Sequence, residues 1–421
     1  MSCTRFSGVT RMAAKRVVLV SVTTVLGGGE IYGTSLMAAL DPDRYQATVL
    51  CPPTGDLPDL ARARGLRVAP LILPPYIMGA ARASFSFGPR SLSAAGLATA
   101  SAIGVMVQEL RRAKAQVVHI NAMKAGLIAA PAARLLGLPV VWDFKDLVSP
   151  DHYSSPLRRV VVAYLNLFAT RVIANSGAIR TELIRAGVRA DKVVALHNGI
   201  DLQRFSPQNA AAGRERVRPE LGLASGALVV VMVGRLAPWK GHDIFIQAAA
   251  RVHARLPEAR FLIVGDSAFD PPAYRARLER LAIDGGLGDA LSFLGFRDDV
   301  PDVMGAADIV VHSSTLPEPL GLTPIEAMAL GRPVIAAAAG GPLETVADGE
   351  TGKLTPMGNA DALAEAMLCI LADPAAARHM GLAGRARAER MFDLHQNARD
   401  VMGVYDELTK HEDKLNDAAG Q

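Results

Sequence analysis

The sequence predicts an α/β protein built from two doubly wound parallel-sheet domains, and three observations carry that expectation. Short apolar runs such as Leu228 to Val233 recur along the chain, apolar on both faces as buried parallel strands are. They alternate with helical stretches, the order in which crossover helices build parallel sheets. A chain of 421 residues is also long for one core and sufficient for two.

The strand-like runs fall into two series. The first comprises Val17 to Val25, Ala47 to Cys51, Val117 to Ile120, Val140 to Trp142, Arg171 to Ala174 and Val193 to Leu196. The second begins at Leu228 and continues with Arg260 to Val264, Leu291 to Leu294, Ile309 to His312 and Val334 to Ala337. Asp201 to Gly213, rich in Pro, Asn, Ala and Gly, reads as the hinge between them. The expected domains are therefore 1–205 and 206–393, followed by a helix at about 394–410 and a frayed tail over 411–421.

At the N-terminus, Arg5, Arg11, Lys15 and Arg16 precede an apolar run and imitate a signal peptide. That run passes straight into Gly27-Gly28-Gly29-Glu30 without a small-residue cleavage site, so it is read as a first strand behind an unstructured leader ending near Met12. Leu92 to Val107 is too weakly apolar to span a bilayer. Cys3, Cys51 and Cys369 are odd in number and lack metal-ligand spacing, which favours a reducing, cytoplasmic compartment over a disulfide framework or a zinc site.

Charge separates the halves. Residues 1–205 carry 24 Lys and Arg against 12 Asp and Glu, and residues 206–421 carry 21 against 29, so surpluses of +12 and −8 make up the net +4. A basic half suggests an anionic partner, and an anionic membrane surface is the candidate. Arg158 and Arg159, followed by the apolar Val160 to Phe168, could form a helix that docks there or one that belongs to the core. Nucleic acid is disfavoured because the cations are dispersed rather than clustered with aromatics.

The chemistry-bearing pattern lies in the second half. Glu318 and Glu326 flank a Gly321 turn that leads into a helix through Leu322, Thr323 and Pro324. Glycine frees backbone N–H groups, proline suits a first helical turn, and such an N-terminus attracts phosphate. Glu326, about a turn inside the helix, could take two ribose hydroxyls, with Glu318 nearer a transferred group; the bland alternative is a pair of solvated acids. Arg235 and Lys240 follow the strand run ending at Val233 and emerge where open sheets bind ligands. One can fork two phosphate oxygens and the other acts as a point charge. The segment is not a P-loop, since no G-x-x-x-x-G-K-[ST] pattern occurs. A dinucleotide fingerprint starting at Gly27 would require glycine at position 32, where Tyr32 stands, so Gly28 and Gly29 are read as bare backbone approaching a ligand, or simply as a tight strand-to-helix turn.

Six ordered motifs resemble those of the retaining glycosyltransferases of family 4: Gly27 to Glu30, Ala174 to Ser176, His197 to Asp201, the stretch from Gly234 to Gly241, Phe293 to Val300, and the glutamate pair. The resemblance covers roughly residues 15–400. It implies the GT-B fold, two Rossmann-like domains facing across a cleft, with the last helix returning to the first domain. It implies retaining, metal-independent transfer of a hexose from a UDP-, GDP- or ADP-type sugar to a glycan or lipid-linked acceptor, in cell-surface polysaccharide or glycolipid synthesis on the inner face of the cytoplasmic membrane. Within it, Arg235, Lys240 and the N–H groups of Gly321, Leu322 and Thr323 would stabilise the departing diphosphate. Glu318 would hold the sugar and Glu326 the ribose, while the Phe296 and Arg297 loop would read the base through its backbone. Gly28 and Gly29 would approach the donor phosphates or the acceptor.

Two departures concern the acceptor. Where relatives often carry H-x-H, this chain has His119-Ile120-Asn121, whose amide cannot exchange a proton. Where they often show His-Asp, it has Trp142-Asp143, with Asp146 following. Asn121 is kept with Glu318, Arg235 and Lys240 as a catalytic candidate, since its amide could still hydrogen-bond a sugar hydroxyl, and His119, Asp143 and Asp146 remain acceptor-side candidates. A sugar epimerase or phosphorylase of the same fold, or a degenerate sugar-nucleotide binder, stay open as alternatives.

Overall fold

The computed structural model describes residues 13–23, 26–74, 89–149, 154–224, 226–266 and 272–419. The chain divides into two compact units. One comprises Met1–Phe144, Ala163–Ile173 and Ala398–Gln421, the other Lys145–Val162 and Ala174–Asn397.

Seven strands form the first sheet: β1 (Lys15–Val20), β2 (Tyr45–Cys51), β3 (Arg67–Pro70), β4 (Val117–Ile120), β5 (Val140–Phe144), β6 (Arg171–Ala174) and β7 (Val193–Ala195). Their order is β3-β2-β1-β4-β5-β6-β7. The second sheet holds β8 (Val229–Val233), β9 (Arg260–Val264), β10 (Leu291–Gly295), β11 (Ile309–His312), β12 (Val334–Ala337) and β13 (Gly352–Thr355), in the order β10-β9-β8-β11-β12-β13. Both are doubly wound Rossmann-like sheets, as the alternation of runs predicts. In each the order reverses once, between β1 and β4 and between β8 and β11, and both of those pairs are parallel. At such a reversal the loops leaving two neighbouring strands part to opposite faces and open a crevice at the carboxyl ends.

Strict alternation organises the second core. Val229, Val231, Val310 and Val334 bury on one face of the sheet, and Val230, Met232, Val311 and Ile335 on the other. That two-sided burial explains why the central strands read as continuous apolar runs. Two of the four edges, β3 and β13, do not read so. Arg67–Pro70 carries a charge and a proline, and Gly352–Thr355 a glycine and a lysine, and neither strand appears in the sequence-based expectation. An edge strand pairs on one side only and needs no such run.

The expected hinge requires correction. Residues 207–213 are not irregular linker but the first half of a helix, Pro207–Glu220, started by Pro207 and capped by Ser206, whose side chain accepts from the Asn209 N–H at 3.2 Å. Gly213 serves packing: a Cβ there would collide with Asp302, and one at Gly305 with Ala210, so these two glycines let helix Val300–Ala306 lie directly on Pro207–Glu220. The C-terminal helix also runs further than expected, from Leu394 to Ala419. Its Thr409 accepts from the Lys15 ammonium at 2.8 Å, and Asp406 accepts from the Tyr45 hydroxyl at 2.6 Å. The residues before position 13 lie outside the described ones. Among the described residues no helix is long and apolar enough to cross a membrane.

Candidate active site

The crevice at the β8/β11 reversal gathers the chemistry-bearing residues of the second half. After β8 the chain leaves through Gly234 and the exposed Arg235, then makes a short 3-10 turn, Pro238–Lys240, closed by Gly241 in the left-handed region at φ 75°. After β11 it leaves through Ser313 and Ser314 towards Glu318. The two loops are laced by a main-chain and a hydroxyl hydrogen bond. Thr315 N–H donates to the Trp239 carbonyl at 2.8 Å, the Ser313 hydroxyl donates to the Gly241 carbonyl at 2.9 Å, and Gly241 packs so closely on Ser313 that no Cβ would fit. Residues seventy positions apart in sequence are thereby held as one surface.

On that surface the Lys240 ammonium donates to Glu318 Oε1 at 2.8 Å while lying 4.4 Å from the centroid of the Trp239 ring. The indole face favours the cation and limits where it can swing. Two further groups reach the same oxygen: His312 Nε2 at 2.8 Å and the Ser314 hydroxyl. Burial alone would raise the Glu318 carboxyl, but His312 and Lys240 beside it outweigh that cost and hold it well below the usual carboxylate range. Glu318 is therefore a fixed anion.

Gly321 caps the following helix, Leu322–Ala329, at φ 79°. Its first N–H groups have no intrahelical acceptor and carry the positive end of the helix dipole. Thr323 Oγ1 lies 3.4 Å from the Val233 carbonyl oxygen, which sets this helix tip beside the end of β8. Behind the turn, Gly340 pairs with Glu318 as an isolated parallel bridge, and Gly341 N–H donates to the Glu318 carbonyl at 2.8 Å. A Cβ on Gly340 or Gly341 would strike the Glu318–Leu320 backbone. Sequence reasoning missed Gly340, Gly341, His312 and Ser314. The paired glycines and a histidine ending an apolar run were the available signals.

Glu326 behaves differently from Glu318. Burial pushes its carboxyl up to about 7, against the opposing influence of Arg204 and Lys240. Near β10, Phe296 stands 72% exposed, whereas Arg297 is committed elsewhere: its Nε donates to Asp299 at 2.7 Å and its Nη1 to Glu220 at 2.6 Å. Any recognition by this loop falls to its backbone and to Phe296. Among the described residues no three His, Cys, Asp or Glu are grouped to hold a metal ion.

The first-half candidates sit near the β1/β4 reversal. Gly28 begins helix Gly28–Ala38, and Gly27 N–H donates to the Glu30 carboxylate at 3.1 Å. Asn121 is 6% exposed and its Nδ2 donates to the Gly29 carbonyl at 3.2 Å, so it holds the glycine turn. His119 and Asp143 are buried, the imidazole Nδ1 lying 2.8 Å from the Tyr405 hydroxyl and its Nε2 3.7 Å from Asp143. His119 is thus a core histidine. Asp146 is half-buried.

The sequence matches the family Glycosyl transferases group 1 over residues 213–387 and Glycosyltransferase Family 4 over residues 26–204. It is 34% identical over 253 residues to a D-inositol 3-phosphate glycosyltransferase of Kribbella flavida, covering 58% of this chain and 57% of that protein. A namesake from Streptomyces scabiei is 32% identical over 304 residues, 68% of this chain and 67% of the relative. The match spans between 44% and 57% of the length of the first three such relatives. The crystal structure of Anabaena HepE in complex with UDP and glucose superposes with a TM-score of 0.80 at 30% identity, covering 93% of this chain and 99% of that one, and HepE is also known in complex with UDP-glucose. Sequence, fold and the β8/β11 crevice agree, and the chain belongs to the group 1, family 4 glycosyltransferases of GT-B fold.

Proposed function

We propose that this protein transfers a hexose from a nucleoside diphosphate sugar to a hydroxyl acceptor with retention of configuration and without a metal ion. The observation that supports this reading best is the meeting of Lys240, Glu318 and the Gly321 helix tip at one sheet reversal. A diphosphate placed there meets a cation, the helix N–H groups of Leu322 and Thr323, and the neighbouring Arg235. These groups stabilise negative charge as it develops on the leaving oxygen, and one such group contributes typically about 3 to 4 kcal/mol to the barrier. Glu318 hydrogen-bonds the sugar, ionised Glu326 accepts from the ribose diol, and Phe296 with its loop backbone meets the base. UDP-glucose is the first donor to test, because HepE is seen with it. D-Inositol 3-phosphate belongs among the acceptors tested, beside glycans and lipid-linked sugars.

The experiment is UDP release from UDP-glucose, and from GDP- and ADP-glucose, with and without those acceptors. Donor-dependent release that disappears in Glu326→Ala supports the reading. Wild-type protein that binds donor yet transfers to nothing points to a sugar-nucleotide binder instead.

The basic first half is proposed to meet an anionic membrane surface, at the cytoplasmic leaflet if the acceptor is lipid-linked. Helix Ser155–Phe168 supports this: Val161 and Leu165 are buried, Leu157, Val160 and Leu167 are exposed, and its charged residues are Arg158 and Arg159 alone. Co-sedimentation with vesicles containing phosphatidylglycerol, lost in Val160→Glu and in high salt, tests it.

A further inference from the structure

We propose that His312, together with Ser314, is a positioning residue for Glu318, fixing which of its two oxygens is offered to the donor sugar. The inference rests on the glycosyltransferase reading above and extends it to residues outside the donor-binding set. Three donors converge on Glu318 Oε1: His312 Nε2 at 2.8 Å, Lys240 Nζ at 2.8 Å and the Ser314 hydroxyl. None of them takes Oε2. A carboxylate held at one oxygen only keeps the lone pairs of the other for hydroxyl groups.

The arrangement is specific to its donors. Lysine alone would hold Glu318 as a point charge, with little control over the rotation of the carboxylate. It would also have to leave Glu318 in part whenever its ammonium turns to a diphosphate. An imidazole N–H and a hydroxyl on β11 and the residue two beyond it are directional and fixed to the scaffold. Once they share Oε1, the carboxylate keeps its orientation while Lys240 divides its three hydrogens between Glu318 and the phosphates. The ring is enclosed: His312 is 5% exposed, and Nε2, the ring nitrogen 2.8 Å from the Glu318 carboxylate, carries the proton directed at it whether or not Nδ1 is protonated too. The Ser314 oxygen, 3.3 Å from the same nitrogen, closes the triangle.

The test compares His312→Leu, His312→Gln and Ser314→Ala in the full chain, using UDP and the nucleotide sugar that the wild type turns over. UDP lacks the sugar, so its affinity reports the nucleotide end alone. The expected result is UDP affinity within about threefold of wild type in all three. His312→Leu should then lose roughly 10- to 100-fold in kcat with a smaller change in KM. His312→Gln, whose amide N–H can reach Oε1, should recover most of that loss, and Ser314→Ala should fall between. Three results overturn the proposal: a kcat for His312→Leu within twofold of wild type, equal losses in His312→Leu and His312→Gln, or weakened UDP binding in parallel with kcat, which would make His312 part of the general scaffold. A wild type that turns over no sugar nucleotide sinks the earlier reading first, before any variant is compared.

Discussion

The two sheet reversals are the same piece of architecture put to different uses. At β8/β11 the exposed Arg235 and half-buried Lys240 border a buried group, His312, Ser314 and Glu318, arranged around a carboxylate with one oxygen uncommitted. At β1/β4 the corresponding polar groups, His119, Asn121 and Asp143, are nearly sealed, and His119 and Asn121 are matched to Tyr405 and the glycine turn. The difference lies in the loops. Those after β8 and β11 are braced by backbone and by the Ser313 and Thr315 hydroxyls, with Lys240 and Glu318 paired to each other, whereas at β1/β4 the Asn121 amide itself braces the turn. Fold alone therefore marks two candidate crevices, and the proposed donor chemistry belongs to one of them.

Breaking the open crevice gives the largest expected effect. Lys240→Ala should lower kcat for nucleoside diphosphate release roughly 10²- to 10³-fold while weakening UDP affinity less than about tenfold, measured by turnover and calorimetry. A loss wholly in affinity would reduce Lys240 to a binding residue. Next comes its backbone brace. Gly341 has an ordinary helical φ of −58°, so Gly341→Ala tests space rather than strain, and overpacking against Leu320 should cost about 1–3 kcal/mol in denaturant unfolding and weaken UDP binding with it.

Glu326 supplies a pH-dependent contrast with Glu318. With its carboxyl at about 7 in the unliganded protein, it is protonated below that pH, and on the proposed function the ribose diol loses a charged acceptor. UDP affinity should therefore weaken by about tenfold between pH 8 and pH 6, and Glu326→Gln should abolish that dependence. The folding linkage has the matching sign. A carboxyl whose folded value is raised favours the folded state at low pH and loses that contribution as pH rises through about 7, so unliganded Glu326→Gln should melt higher than wild type at pH 8 and not at pH 5. Glu318, held low, should add no dependence in this window. The smallest effect belongs to the sealed reversal: Tyr405→Phe leaves the His119 ring without its hydroxyl partner and should cost about 1 kcal/mol of stability, read by thermal melting, with UDP affinity unchanged.

Much of this was legible in the chain because buried parallel strands announce themselves. Val117–Ile120, Arg171–Ala174, Arg260–Val264, Ile309–His312 and Val334–Ala337 match the observed strands end to end. Glu318, Lys240 and Gly321 were legible because each sits next to a strand end or a helix start. What stayed hidden depends on three-dimensional neighbours. His312 reads as the last residue of a strand, and only the path of the Ser313–Pro317 loop brings Glu318 back to it. The helical part of Asp201 to Gly213 stayed hidden because proline, asparagine, alanine and glycine dominate its composition, while the Ser206-Pro207 helix start carried the decisive signal. The Arg297 loop was read as meeting the base through its backbone, and only the structure shows that Asp299 and Glu220 hold the Arg297 side chain.

The loop from Ser313 to Leu320 is tied to the Lys240 loop by the Ser313 hydroxyl and the Thr315 main chain, and at Glu318 to Gly340 and Gly341 through main-chain atoms. Leu316, Pro317 and Pro319 spend no side-chain hydrogen bond on that job and are only partly buried. Exchange at those three positions would reshape the loop without dismantling its frame, which makes them, on the proposed function, the economical place to probe which sugar is accepted.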